Sequence, residues 1–147
     1  MAFSRIQDQL RGVGCEVVGL STDSVAAHLP WLQSIEDWMG EAIRFPVVGD
    51  FDGHIASRYG MIMPHLSQKQ AARCTFIMDE EQVLQAFMAY PPNVGRNMDE
   101  VVRLVRALQA TKEESIGTPA NWQCGNGLIP LHIAFPPTKG YQTHGCL

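Results

Sequence analysis

The side chains with the most chemistry in this 147-residue chain are four cysteines, Cys15, Cys74, Cys124 and Cys146, and one arginine, Arg73, that interrupts an apolar strand pattern. A thiol is a nucleophile only as the thiolate, so a reactive cysteine needs a helix N-terminus or a cation beside it. Cys15 and Cys74 instead lie in the apolar runs CEVVGL and CTFIM and read as inert small hydrophobes. Cys124 falls in a glycine-rich loop and is expected to be exposed. The absence of CxxC and of any paired spacing argues against a structural zinc site and against a dithiol redox motif. Asp99 and Glu100 fall in the first turn of a helix pattern, where the helix dipole already accounts for acidic side chains, so they are not a catalytic pair. Arg96, after Gly95, reads as a capping or dimer-contact residue. His28, Trp31 and Trp38 have apolar neighbours and read as packing residues with a satisfied histidine. His65, in the polar loop 61–70, reads as exposed.

The elements that must position these residues follow from periodicity. Residues 71–108 read as strand, turn, strand, loop and helix. Residues 74–78 are a short run of strand formers, Asp79-Glu80-Glu81-Gln82 is a polar break of turn length, and residues 83–89 form a second strand that Pro91-Pro92 ends. Asn97 is a good N-cap for the next helix, with Glu100 placed to close a capping box. Val101, Leu104, Val105 and Leu108 then form one apolar stripe. Upstream, Phe3, Ile6, Leu10 and Val13 share a helix face that ends near Gly12 or Gly14. Residues 15–20 read as a strand covered on both faces. Thr22, Asp23 or Ser24 can cap a helix whose apolar face is Val25, Leu29, Leu32 and Ile35. Pro30 falls inside that pattern, where it would cost about 3 kcal/mol, so an irregular first turn is expected, with regular helix from Pro30. Residues 45–48 read as a strand, 55–59 as a short helix stopped by Gly60, and 111–124 as irregular.

Strands alternating with helices point to an α/β layer fold. The length suits one domain, residues 1–124, followed by a Gly- and Pro-rich, irregular arm over 125–147. A net charge of −4 leaves no footprint for nucleic acid. There is no apolar run of membrane-spanning length and no signal-peptide pattern, so no membrane partner is expected and the default compartment is the cytoplasm, with thiols reduced.

Several segments in order carry a family resemblance. An Arg, one residue, then TFIMD, a hairpin, YPPNVGRNMDEVVRLVRALQ and later TPANW resemble the C-terminal half of peroxiredoxins, the alkyl hydroperoxide reductase C / thiol-specific antioxidant family. VVGLSTDS, FPVVGD and YGMI extend the likeness towards the N-terminus, and the pattern is most similar to the one-cysteine and archaeal-type subgroups. The resemblance implies a thioredoxin-like α/β fold with a mixed sheet and flanking helices. It implies thiol-dependent reduction of hydrogen peroxide and organic hydroperoxides in antioxidant defence and redox homeostasis, with no cofactor and no metal. It further implies a thiol reductant such as a thioredoxin-like protein, and a homodimer or higher homo-oligomer. Arg73 takes the position of an arginine that binds peroxide and stabilises the thiolate, a fixed cation near developing negative charge. The alternative for Arg73 is pairing with a carboxylate at a strand end. Archaeal-type relatives carry cysteines in a C-terminal arm, which makes Cys146, in GYQTHGCL, a candidate resolving thiol, although its flanking sequence departs from theirs; otherwise it is an unpaired tail cysteine.

The resemblance also implies a peroxidatic cysteine in a Pro-x-x-x-Thr-x-x-Cys motif, at the first turn of the helix that corresponds to MAFSRI. That motif and the strand feeding it do not occur in this chain, which reads as an N-terminally truncated member, inactive alone. The competing reading is a catalytically silent dimerisation or binding module of the same fold. A start at an internal Met, including one caused by a selenocysteine codon taken as a stop, would place the true start about 40–60 residues upstream. Between strands 15–20 and 74–78 either a gap is expected or a filling by something else, such as the C-terminal arm or a partner chain. The strand 83–89 is expected to pair with its copy across a two-fold axis.

Overall fold

In the structure, a computed structural model that describes residues 2–40, 42–62, 71–113 and 115–131, the chain opens with helix α1 (Ala2–Gly12). A lone helix of this length is marginal in water, and tertiary packing holds it. Ile6 and Leu10 are buried against Val101, Val102 and Val105, with Phe3, Val13, Cys15, Val17, Ile77 and Met88 around them.

Strand β1 (Gly19–Ser21) is shorter than the sequence predicts. It pairs in parallel with β2 (Val47–Gly49), Gly19 opposite Val47 and Ser21 opposite Gly49. Residues 15–18 join no ladder among the described residues, because no neighbouring strand takes up their hydrogen bonds. Only one face of the run is covered: Cys15 and Val17 pack on the core, whereas Val18 is 65% exposed. Gly49 is required by a close approach, since a Cβ there would lie 3.1 Å from the Asp23 carbonyl oxygen and from the Val25 nitrogen.

Helix α2 (Val25–Met39) begins five residues before Pro30, contrary to expectation. The Ser24 hydroxyl accepts from the Ala27 N–H at 3.2 Å, and the Ala27 and His28 N–H groups reach the Ser24 carbonyl at 3.0 and 3.1 Å. The first turn is therefore complete before Pro30, which forfeits only the bond to the carbonyl of Ala26. The buried face is also rotated from the predicted one. His28 and Ile35 are buried, Leu32 and Met39 are half-buried, and Val25 and Leu29 are 63% and 66% exposed. Trp31 and Trp38 lie outside the core, Trp38 at 86% exposure, and the buried His28 Nε2 has no hydrogen-bond partner. The reading of these three as packing residues with a satisfied histidine holds only for the burial of His28.

After β2, the Asp50 carboxylate accepts from the Ile55 N–H at 3.0 Å and the Ala56 N–H at 2.7 Å, which starts α3 (His54–Arg58). Ile62 and Ala71 form an isolated antiparallel bridge. His65 lies outside the described residues.

Strands β3 (Arg73–Met78) and β4 (Leu84–Tyr90) make the expected hairpin, in register from Arg73 opposite Tyr90 to Ile77 opposite Ala86, with an irregularity at Ile77/Met78. Asp79 organises the turn: its carboxylate accepts from the Val83 N–H at 2.8 Å and from Gln85 Nε2 at 2.6 Å. Helix α4 (Met98–Ala110) is capped by Asn97, whose Oδ1 accepts from the Asp99 and Glu100 N–H groups. Glu100 does not close a capping box. Its carboxylate takes the Arg103 guanidinium one turn on, Nη2 to Oε1 at 2.8 Å, a charge-assisted bond that outcompetes a neutral backbone N–H. Val101 and Val105 of the expected stripe are buried, with Val102 and Ala107, while Leu104 and Leu108 are half-buried.

The last elements, β5 (Ile116–Gly117) and β6 (Ile129–Pro130), pair antiparallel. Trp122 and Leu128 pack there on Ala107, so the first residues of the expected arm are held against α4. Each sheet has two strands, and no ladder joins β1 to β3 among the described residues.

Candidate functional site

The sequence points to Arg73, and the structure places it at the first residue of β3, where its Nε donates to the Pro92 carbonyl at 2.7 Å. Beside it stands a second guanidinium that sequence reasoning assigned elsewhere. Arg96 precedes the N-cap of α4, but Asn97 does the capping. The Arg96 side chain turns back instead: Nη1 donates to the Cys74 carbonyl at 3.4 Å, and the guanidinium lies 4.9 Å from the Phe3 ring centroid. A signal for this was present in the sequence, since a cap already supplied by Asn97 leaves the arginine before it free for another task.

Arg73 and Arg96 line a cavity of about 460 Å³ between the end of β1, at Leu20, Ser21 and Thr22, and the start of β3. Neither arginine meets a carboxylate: among the described residues, no ion pair includes either one. The bond from Arg73 goes to a carbonyl, so the alternative of a carboxylate partner at the strand end does not describe it. Burial, and then the charge of Arg73, lower the pKa of Arg96. Two cations thus repel each other across a cavity that, among the described residues, no carboxylate lines.

The cysteines divide clearly. Cys74 lines the same cavity, but burial raises its pKa, and the opposing pull of Arg96 is the smaller effect. Burial, and then the charge of Glu16, raise the pKa of Cys15. Both are free thiols held in the protonated form, as inert small hydrophobes should be. Cys124 is half-buried against Trp122 and Leu128 rather than exposed, and it is disulfide-bonded. Cys146 lies outside the described residues. Asp99 and Glu100 sit in the first turn of α4, and Glu100 serves Arg103. Among the described residues, no group of three or more His, Cys, Asp or Glu side chains could hold a metal, and no helix is long and apolar enough to cross a membrane.

Such a cavity stabilises negative charge, whether on a resident thiolate or on an oxygen that gains charge during bond cleavage. The sequence of this half of the chain is itself diagnostic. A sequence model of the AhpC/TSA family matches residues 1–87, a span that takes in Arg73 and stops short of Arg96. The chain belongs to the AhpC/TSA family. It is 41% identical over 135 residues to a peroxiredoxin of Methanosarcina mazei, covering 88% of this chain and 62% of that protein. It is 37% identical over 142 residues to a peroxiredoxin of Methanocaldococcus jannaschii, covering 97% of this chain and 64% of that protein. Among solved structures it resembles a yeast mitochondrial 1-Cys peroxiredoxin, with a TM-score of 0.79 and 31% identity over 88% of this chain and 64% of the other. The chain therefore spans less than two thirds of the length of these relatives. The fold is α/β and thioredoxin-like, as the family resemblance implies.

Proposed function

We propose that this chain provides the arginine-lined half of a thiol-dependent peroxidase, which reduces hydrogen peroxide and organic hydroperoxides. In this reading Arg73 and Arg96 hold a peroxidatic thiolate and the peroxide in the cavity, and the thiolate comes from outside the described residues. The observation that carries it is the pair of guanidiniums without a carboxylate between them. The thiolate attacks one peroxide oxygen, the O–O bond breaks, the thiol becomes a sulfenic acid, and the leaving oxygen departs as water or alcohol after taking a proton. Both cations face charge that grows along this path. The raised pKa values of Cys15 and Cys74 support a nucleophile from elsewhere.

A thiol reductant then restores the enzyme. The yeast relative's thiol is resolved through glutathione/thioredoxin systems, which supports a small-thiol or thioredoxin-like reductant here. Cys146 is a candidate resolving thiol in the reduced protein, in which the disulfide at Cys124 is open. We place the protein in the cytoplasm, with residues 1–124 as the domain and 125–147 as its arm. A homodimer forms through the outer edge of β4, which has a ladder only on its β3 side among the described residues. The second reading, a catalytically silent dimerisation or binding module, draws on the same protonated thiols.

Hydrogen peroxide consumption by the 147-residue chain with excess reductant tests the proposal. The expected rate is no faster than that of a free thiol. Rapid consumption that disappears when Cys74 or Cys15 is changed to Ser would name an internal nucleophile and overturn this reading.

A further inference from the structure

The manner in which the two arginines are held says more than that the cavity is positive. Each guanidinium is anchored by a neutral group. Arg73 uses Nε on the Pro92 carbonyl, and Arg96 uses Nη1 on the Cys74 carbonyl with its cation over the Phe3 ring. Carbonyls and a ring face fix position without cancelling charge, unlike the carboxylates that hold Arg11 and Arg103 elsewhere in the chain. Two full positive charges therefore remain at one cavity in a protein whose net charge is −4. Among the described residues no hydrogen bond takes up their other N–H donors, which are open to a ligand. A neutral peroxide leaves this repulsion in place, and a monovalent halide has no oxygens to share between two planar forks. A tetrahedral dianion does both jobs, because it offers oxygens to each guanidinium and balances both charges.

We propose that the Arg73–Arg96 cavity is a binding site for a small tetrahedral dianion, inorganic phosphate or sulfate. It occupies the space that a peroxide would enter and so competes with it. The binding stands on the anchoring geometry, whereas the competition rests on the peroxidase reading.

The test is a titration of the intact, isotope-labelled chain with sodium phosphate and sodium sulfate, followed by NMR at pH 7.5. Sodium chloride at matched ionic strength is the control, and no peroxide or reductant is present. The Nε–H signals of Arg73 and Arg96 are expected to shift and saturate with phosphate and sulfate but not with chloride. Arg73→Gln and Arg96→Gln should each weaken binding by about tenfold or more, the loss of a hydrogen bond between charged groups, while Arg11→Gln leaves it unchanged. If Arg96→Gln does not give a folded spectrum, Arg73→Gln decides, because Arg73 is exposed and tied by one carbonyl. A linear response, an equal response to chloride, or unchanged affinity in Arg73→Gln would overturn the site. None of these outcomes depends on peroxide turnover, so this inference and the peroxidase reading fail separately.

Discussion

The guanidinium of Arg96 lies 4.9 Å from the centroid of the Phe3 ring, which ties the first turn of α1 to the cationic cavity at the start of β3. Phe3 therefore serves two purposes: it packs against the core cluster of α1 and α4, and it steadies a charge that has no carboxylate partner among the described residues. Phe3→Leu keeps most of the apolar packing and removes the π face. We expect it to weaken the Arg96 anchor by about 0.5–2 kcal/mol, whereas Phe3→Tyr retains it. The readout is phosphate affinity in the two variants, with thermal unfolding to separate lost packing from a lost anchor. Equal affinity in Leu and Tyr variants of matched stability would show that the ring is only filler.

Asp50 is a second buried anchor, and its effect depends on pH. Burial alone would raise its pKa, but the N–H groups of Ala56 and Ile55, then Asp52 and the charge of His54, together bring it below the usual carboxylate value. A folded-state pKa below the unfolded one means that the unfolded chain binds the proton more readily. The stabilisation is then fully present above the unfolded value of about 3.9 and disappears as pH falls through the lower folded value. Asp50→Ala is expected to destabilise the chain at neutral pH by leaving two N–H groups of α3 without their acceptor. Urea unfolding at pH 7 and at pH 3 measures both effects, and the difference between wild type and variant should shrink at the lower pH.

Pro30 offers a gain. It sits in the interior of α2 on the exposed side and leaves the Ala26 carbonyl without its helical donor. Pro30→Ala is expected to stabilise the chain by about 1 kcal/mol or more. On the same helix Trp38→Ser should change stability by no more than about 0.5 kcal/mol. Ile35→Ala should cost about 2–4 kcal/mol. Chemical denaturation of the three variants checks the rotated face: a larger loss for Trp38 than for Ile35 would contradict it.

Cys15 and Cys74 should alkylate slowly. Burial raises both pKa values, so the reactive thiolate accumulates only above the ordinary thiol range of about 8.5. Iodoacetamide labelling of each single-cysteine variant across pH 6–10, read by mass spectrometry, should show rates below that of free cysteine at pH 7.5. A rate above it at Cys74 would reveal a thiolate stabilised by the arginines.

The hairpin, α4 with its Asn97 cap and the core face of α1 were legible in the sequence, because period, cap and turn residues there agree with one another. The face of α2 was not. Val25 and Leu29 fit the apolar pattern as well as His28 and Met39 do, and only the packing against its neighbours decides which side is buried. Residues 15–18 have strand composition, yet a strand is completed by its neighbour, and theirs is not among the described residues. Arg73 stood out because it breaks an apolar run. Arg96 did not: the Asn97 cap left it free for another task, but its partners, Phe3 and the Cys74 carbonyl, are far away in sequence and no local pattern names them.

The central claim, that Arg73 and Arg96 activate a thiolate for peroxide reduction, is tested most directly in a fusion. It joins this chain to the portion of the Methanosarcina mazei relative that it does not span. The measurement is the second-order rate constant for hydrogen peroxide with excess thiol reductant, for the fusion and for its Arg73→Gln and Arg96→Gln forms, each shown to be folded. The fusion should consume peroxide far faster than free thiol, and each arginine change should lower the rate by about 10²-fold or more, in keeping with the loss of one preorganised donor at a developing charge. A folded, active fusion whose rate is indifferent to both substitutions would contradict the claim.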